Sequence, residues 1–205
     1  MSRTSSAGTK QLFNNPIIER LSRTHFMVPI SILTGFSVFL LYWALRYDLL
    51  SVSTSIIMFL TGFLSFTLVE YLVHRYVFHM DTDTEFKTKI QYNFHGVHHD
   101  YPKDKDRLAM PPIVSSAISV TLFFIFKLFM GDLAFAFIPG FLMGYNGYLG
   151  VHYIVHAYQP PKNFFKSLWI NHGIHHYKNQ EAAFGVSSPL WDYIFQTMPK
   201  KTSAK

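Results

Sequence analysis

With 205 residues the chain has room for one domain and does not require a second. Charged residues make up 15% of it, against about 25% in an ordinary soluble domain, and with no cysteine it can build neither disulfides nor thiolate metal sites. The net charge of +6 would point to nucleic acid in a soluble protein, but in an apolar chain its distribution has to be read first.

The first 26 residues form an arm. Within it, "NNPIIERLSRTHF" offers Asn15 as a helix cap, Pro16 at the first helical position, and Ile17, Ile18 and Leu21 on one face. This predicts a short helix lying on a membrane surface, with the solitary His25 an ordinary interfacial residue. Four apolar runs follow. Met27 to Leu45, Leu49 to Val69 and Leu133 to Val151 carry no charge, and Met110 to Phe126 is closed by Lys127. Each approaches the roughly 20 residues that cross a bilayer as a helix, and so short a chain cannot hide four such helices in a soluble core. The first run begins too late, and lacks the small-residue cleavage site, to be a signal peptide. The expected architecture is all-α, an integral membrane protein with four transmembrane helices at about 27–46, 50–72, 112–130 and 133–153. The membrane domain is expected over 27–197, with a basic tail over 198–205.

Short connections, "RYDLL" and "KLFMGDL", pair the spans into two hairpins. The arm, the loop from about 80 to 109 and the segment from about 157 onward then share one side, which carries 16 of the 18 Lys and Arg residues when Arg75 is counted. The positive-inside rule makes that side cytoplasmic, in a bacterial inner membrane or the endoplasmic reticulum. The basic charge therefore reports topology, and no nucleic-acid partner is expected. In the fourth run, Gly144, Gly147 and Gly150 form a small-residue stripe suited to close helix packing.

Ten of the eleven histidines fall into four groups: "HRYVFH" (His74, His79), "HGVHH" (His95, His98, His99), "HYIVH" (His152, His156) and "HGIHH" (His172, His175, His176). The order is pair then triple, twice. His152 and His156, four apart, share a helix face. His74 and His79, five apart, converge if the helix end loosens or if a metal sits between them. In each triple the first two histidines are expected on one face and the third on another, so that one triple serves two ions. The pairs follow the second and fourth runs and so emerge on one side of the bilayer, where the triples also lie in a helical, histidine-rich cytosolic cap. Zinc takes four ligands and octahedral metals six, so ten imidazoles imply two ions.

These groups resemble the membrane fatty acid hydroxylase and sterol desaturase superfamily. "HGVHHDYPKDKDRLAMPP" (95–112) and "HHYKNQEAAFGVSSPLWDYIF" (175–195) narrow the resemblance to the fatty acid 2-hydroxylases, over roughly residues 60 to 197. The resemblance implies an O2-dependent monooxygenase placing a 2-hydroxyl group on the acyl chains of fatty acids or sphingolipids such as ceramides. All ten histidines would be metal ligands to two ions, with iron expected for activity and zinc able to occupy the same nitrogens in a purified sample. Many family members carry a fused cytochrome b5 domain with an "HPGG" haem signature. None fits in the arm, so electrons are expected from a separate donor such as cytochrome b5 or ferredoxin.

Further expectations attach to neighbouring residues. Glu70, one turn before His74, is placed to accept that imidazole's second N–H. Asp100, Tyr101 and Asp192 flank the triples as supporting or cap residues, and "FGVSSPLWD" is expected to close over the metals as a structural cap. Arg107 is expected to meet a lipid head group or the redox donor, and Tyr145, Asn146 and Tyr148 to line a substrate cavity. Sterol desaturases and carotenoid hydroxylases share the histidine groups but not these flanking words. A metal transporter would place its ligands near the bilayer midplane, where these spans are nearly free of ionisable residues; a structural metal-binding membrane protein is the other non-enzymatic alternative.

Overall fold

The computed structural model describes residues 8–200; the last five residues of the expected basic tail lie outside them. The described residues are helical, with no strand among them. In chain order they form α1 (Pro16–Leu21), α2 (Met27–Arg46), α3 (Val52–Val73), a π-helical turn His74–Phe78, α4 (Glu85–Gln91), and a second π-helical turn Tyr92–Gly96. There follow α5 (Val97–Asp100), α6 (Pro112–Met130), α7 (Ala134–Ala157), α8 (Lys166–Tyr177) and α9 (Leu190–Ile194). Three helical stretches are long and apolar enough to cross a membrane: Met27–Arg46, Val52–Phe78, and Lys105–Ala157, which takes in both α6 and α7. Those two helices are separated by the turn Gly131–Leu133, where Gly131 adopts a φ of 60° that disfavours side chains. Large side chains such as Leu64, Leu128 and Phe129 are exposed, as on helices that face lipid.

The chain divides into two compact units. One gathers Phe13–Leu68 and Asp106–Gly150. Its core is Leu40 from α2, Phe123 from α6, and Ala134, Phe137, Ile138 and Leu142 from α7. Helices α3 and α7 approach until backbone meets backbone. A Cβ on Gly62 would stand 2.0 Å from the Phe137 carbonyl oxygen, and one on Gly140 1.9 Å from that of Phe59. Gly144 abuts the Phe66 ring, whereas Gly147 and Gly150 have open space beside them. The close-packed stripe is therefore Gly140 and Gly144, four apart, rather than the three-residue series expected from the sequence. A helix turns once in 3.6 residues, so four-apart residues align better along one contact line.

In the same unit the predicted α1 is present. Asn15 Oδ1 caps it, accepting from the N–H groups of Ile17 and Ile18 at 2.9 and 3.2 Å. Glu19 in this helix pairs with buried Arg107 at 2.5 Å, and Arg107 also donates to Ser22 Oγ at 3.0 Å.

Candidate metal centre

The other unit gathers Val69–Lys105, the described residues from Val151 onward and those up to Leu12, and it holds all ten histidines of the four sequence groups. They assemble into two sets of five. His74, His79, His95, His99 and His175 form the first; His98, His152, His156, His172 and His176 form the second. Within each set, one ring nitrogen of every imidazole lies within 4.8 Å of the others. His25 belongs to neither.

Local backbone geometry explains the gathering. In an α-helix, residues five apart point well away from each other. His74 opens a π-helical turn, bonded i to i+5, in which residues five apart stand roughly over one another, and His79 caps that turn. The loosened helix end, one of the two arrangements the spacing allowed, is thus a specific structure. In each triple the first and third histidines, four apart, share a set, and the middle one faces the other: His95 and His99 against His98, His172 and His176 against His175. The expected pairing of first with second is corrected here. Four residues overshoot one α-helical turn by about 40°, whereas three fall about 60° short of it. Each set therefore consists of one pair, the outer members of its own triple, and the middle member of the other triple. The two sets touch where the His99 and His176 rings stack at 4.3 Å.

The nitrogens that converge are Nε2. His95 Nε2 lies 3.0 Å from that of His74 and 2.9 Å from that of His99, and His175 Nε2 3.0 Å from that of His79. In the second set the chain His98–His152–His156–His172–His176 runs through Nε2 separations of 3.0, 3.2, 2.8 and 3.1 Å. Neutral imidazole has one N–H, and hydrogen bonds account for few of these contacts. A carbonyl oxygen only accepts, so the 2.5 Å contact of His74 Nδ1 with the Phe184 carbonyl places its proton on Nδ1. The 2.9 Å contact of His175 Nδ1 with the Ala182 carbonyl does the same. Their Nε2 lone pairs then point inward at other nitrogens, an arrangement a cation stabilises. Metal–nitrogen bonds of about 2.1 Å put ligands at right angles about 3.0 Å apart, close to the observed spacings. The residues fit a metal ion in each set.

Burial, reinforced by the neighbouring imidazoles, pushes His95, His98, His172 and His176 well below the ordinary histidine range. His79 and His175, again through burial, fall to about 4, and His99 to about 2. The rings are therefore neutral near pH 7, the form that binds metal.

The supporting residues differ from expectation in one respect. Glu70 does not accept from His74. Its carboxylate takes the backbone N–H groups of Val186 and Ser187 at 2.9 and 2.8 Å and the Ser187 hydroxyl. Two amides and a hydroxyl presented together outweigh one imidazole N–H, which is taken by the Phe184 carbonyl. Asp192, also buried, accepts from Phe184 N at 2.9 Å, Gly185 N at 2.8 Å and Thr197 Oγ1 at 2.7 Å. The loop Ala182–Ser187, whose carbonyls orient His74 and His175, is thus gripped by two carboxylates. The sequence reading of "FGVSSPLWD" as a cap over the metals did not extend to these carbonyl contacts with the histidines, because backbone makes them. Within the loop Gly185 has no room for a side chain, since a Cβ would meet the Ser188 carbonyl oxygen at 2.2 Å.

Asp100 accepts from the Tyr92 hydroxyl at 3.1 Å, and Tyr101 ends α5 by donating its N–H to the Val97 carbonyl at 2.9 Å. The remaining candidates lie in the other unit. Arg107 is turned inward to Glu19, as described above, rather than offered to a head group or donor. Asn146 Nδ2 bonds Thr34 Oγ1 at 3.1 Å and the Ile30 carbonyl at 3.4 Å, tying α7 to α2. Tyr145 packs edge-on against Phe66 and stacks on Tyr148.

The profile of a family described as Fatty acid hydroxylase matches residues 59–197. The chain is 38% identical over 146 residues to the dihydroceramide fatty acyl 2-hydroxylase FAH2 of Arabidopsis thaliana, covering 70% of this chain and 62% of that protein. It is 36% identical to the fatty acid 2-hydroxylase of Rattus norvegicus, over 72% of this chain and 41% of the other. The chain thus spans between about two fifths and three fifths of these relatives' lengths. Among solved structures, full-length scs7p, of which only the hydroxylase domain is visible, superposes with a TM-score of 0.84 at 31% identity, covering 94% of this chain and 73% of that one. The chain belongs to the fatty acid hydroxylase family.

Proposed function

We propose that this protein is a membrane-bound, O2-dependent 2-hydroxylase of acyl chains, acting on fatty acids or on sphingolipids of the ceramide type. The observation that carries the reading is the pair of adjoining five-imidazole sets, whose Nε2 atoms converge at metal-binding distances. The relatives named as 2-hydroxylases of fatty acids and of dihydroceramide acyl chains support the reaction and substrate class. We take all ten histidines as ligands to two ions, iron in the active enzyme, with zinc able to replace it on purification.

The reaction converts the CH2 beside the acyl carbonyl to CHOH. One O2, two electrons and two protons are consumed, and the second oxygen leaves as water. Iron bound to the histidines supplies the oxygen-activating redox chemistry that no side chain possesses. The chain's own groups hold and orient. Ten Nε2 lone pairs supply ligands, and the carbonyls of Ala182 and Phe184 keep two of the imidazoles in the ligating tautomer. Burial of the rings keeps them neutral and excludes water. A separate redox protein, cytochrome b5 or a ferredoxin, delivers the electrons.

For the membrane we read α2, α3, α6 and α7 as four spans in two hairpins, with Gly131–Leu133 as the second hairpin's turn. The arm 1–26, the hydroxylase domain 27–197 and the tail 198–205 divide the chain, and the histidines and termini face the cytoplasm. The excess of Lys and Arg in the connecting segments supports this orientation.

Lipid mass spectrometry of a host expressing the chain with a competent electron donor, beside His98→Ala, tests the function. Accumulation of 2-hydroxy acyl lipid is expected with the wild-type chain and not with the variant. Its absence from the wild-type host sinks the assignment.

A further inference from the structure

The two histidine sets have equal numbers of imidazoles but unequal support. In the first set, His74 and His175 each donate an Nδ1–H to a carbonyl of the loop Ala182–Ser187. His99 Nδ1 in that set, and in the second set the Nδ1 atoms of His98, His172 and His176, are buried with no protein hydrogen-bond partner among the described residues, so the loop-held imidazoles belong to the first set. The loop is held at four consecutive N–H groups, Phe184 and Gly185 by Asp192, Val186 and Ser187 by Glu70. Building on the dinuclear reading above, we propose that Glu70 and Asp192 are positioning residues that clamp this loop, and that the clamp makes the first set the tighter of two metal sites, filled before the second.

A loop carbonyl fixes a tautomer only while the loop stays in place, and a segment without side-chain anchors opens locally at little cost. The two carboxylates remove that freedom by accepting four adjacent amides, with the Ser187 and Thr197 hydroxyls completing their coordination. A histidine whose Nδ1 proton is already engaged presents its Nε2 lone pair without having to be selected from two tautomers. The first set meets its ion with two imidazoles so prepared. In the second, His98, His172 and His176 receive no such instruction from the protein, and the ion itself must select the tautomer. Preorganisation of this kind appears as affinity, since the ordering is complete before the ligand arrives.

The test is a metal titration of the purified full chain, stripped with chelator and reloaded with Co(II), whose absorption reports nitrogen ligation. Wild-type protein should take up two ions per chain in two resolved steps. Glu70→Ala should weaken the tight step by tenfold to a hundredfold, the usual range for losing an outer partner of a ligating histidine, and leave the weaker step in place. Glu70→Gln keeps an acceptor for both amides and should restore the tight step. Ser187→Ala removes only the hydroxyl contact; it should fold normally and shift the tight step in the same direction by a smaller factor, so the idea remains testable should Glu70→Ala fail to fold. Two ions binding with one indistinguishable affinity, or a Glu70→Ala or Ser187→Ala effect falling on the weaker step, overturns the proposal while leaving the dinuclear reading intact. Uptake of less than one ion per chain by wild-type protein overturns both.

Discussion

The two five-histidine sets are built by one recipe and supported by two. Each takes a pair from the end of a long apolar helix, the outer members of the following triple, and a middle histidine lent by the other triple. Around the first set, the backbone of Ala182–Ser187 accepts imidazole protons, a π-helical turn brings His74 and His79 together, and Phe78 and Phe184 lie against the rings. Around the second, the rings chiefly meet one another, with Tyr177 beside His176. The number of histidines in each set thus follows from the repeated sequence pattern, whereas the difference in what surrounds them arises from a segment outside that pattern.

The partition itself is the first thing to break. His175 and His176 are neighbours in sequence on α8, yet their Nε2 atoms belong to different sets. His175→Ala should abolish the tight step of a Co(II) titration, and His176→Ala the weak one. Each affinity should fall by more than about a hundredfold, above the range for an outer partner, because a direct ligand is gone. Metal content per chain should fall from two towards one in both variants. If both variants lose the same step, the two-set division is wrong.

A smaller change sharpens the role of the loop. Gly185→Ala places a methyl group 2.2 Å from the Ser188 carbonyl oxygen and 2.8 Å from Asp192 Oδ2. Backbone cannot yield as a side-chain tip does, so the loop has to shift and loosen its hydrogen bonds to Asp192. A destabilisation of about 3 kcal/mol is expected, measured by thermal or denaturant unfolding in detergent. The shift should also weaken the first set's metal step while sparing the second. Equal weakening of both steps would mean that the loop supports the whole centre rather than one half.

How much of this was legible follows from which atoms carry it. The helices and the ten histidines could be read because apolar run length and imidazole spacing are side-chain patterns, and side chains are what a sequence lists. The assignment of histidines within each triple was read one residue off, since a three-residue and a four-residue offset are both near one turn and only the neighbouring helices decide between them. Glu70 was placed on the correct face of α3, but its partners are the amides of Val186 and Ser187, more than a hundred residues away. Backbone donors and acceptors look alike along a sequence, so "FGVSSPLWD" could be read as a cap while its part in orienting His74 and His175 could not. The glycines failed in a similar way. Gly140 and Gly144 are the ones pressed against α3, and the choice was made partly by Gly62 on the other helix.

The smallest expected effect concerns the phenylalanine rings that lie against the first set. The Phe78 ring stacks on the His95 ring, with centroids 4.9 Å apart and planes 16° from parallel. Phe78 is also the last residue of the π-helical turn that positions His79, and its ring meets that of His74, the first residue of the turn, edge-on. Leucine keeps most of the apolar volume but not the flat face, and contacts of this kind contribute about 0.5–1.5 kcal/mol beyond area burial. Phe78→Leu should therefore weaken the tight metal step by about threefold to tenfold, with the fold and the weak step unchanged. A tight step that does not move would show that the carbonyls of Ala182 and Phe184 account for the asymmetry without help from the rings. A shift as large as that of Glu70→Ala would show the opposite, that ring packing and hydrogen bonding share the task of holding the first site.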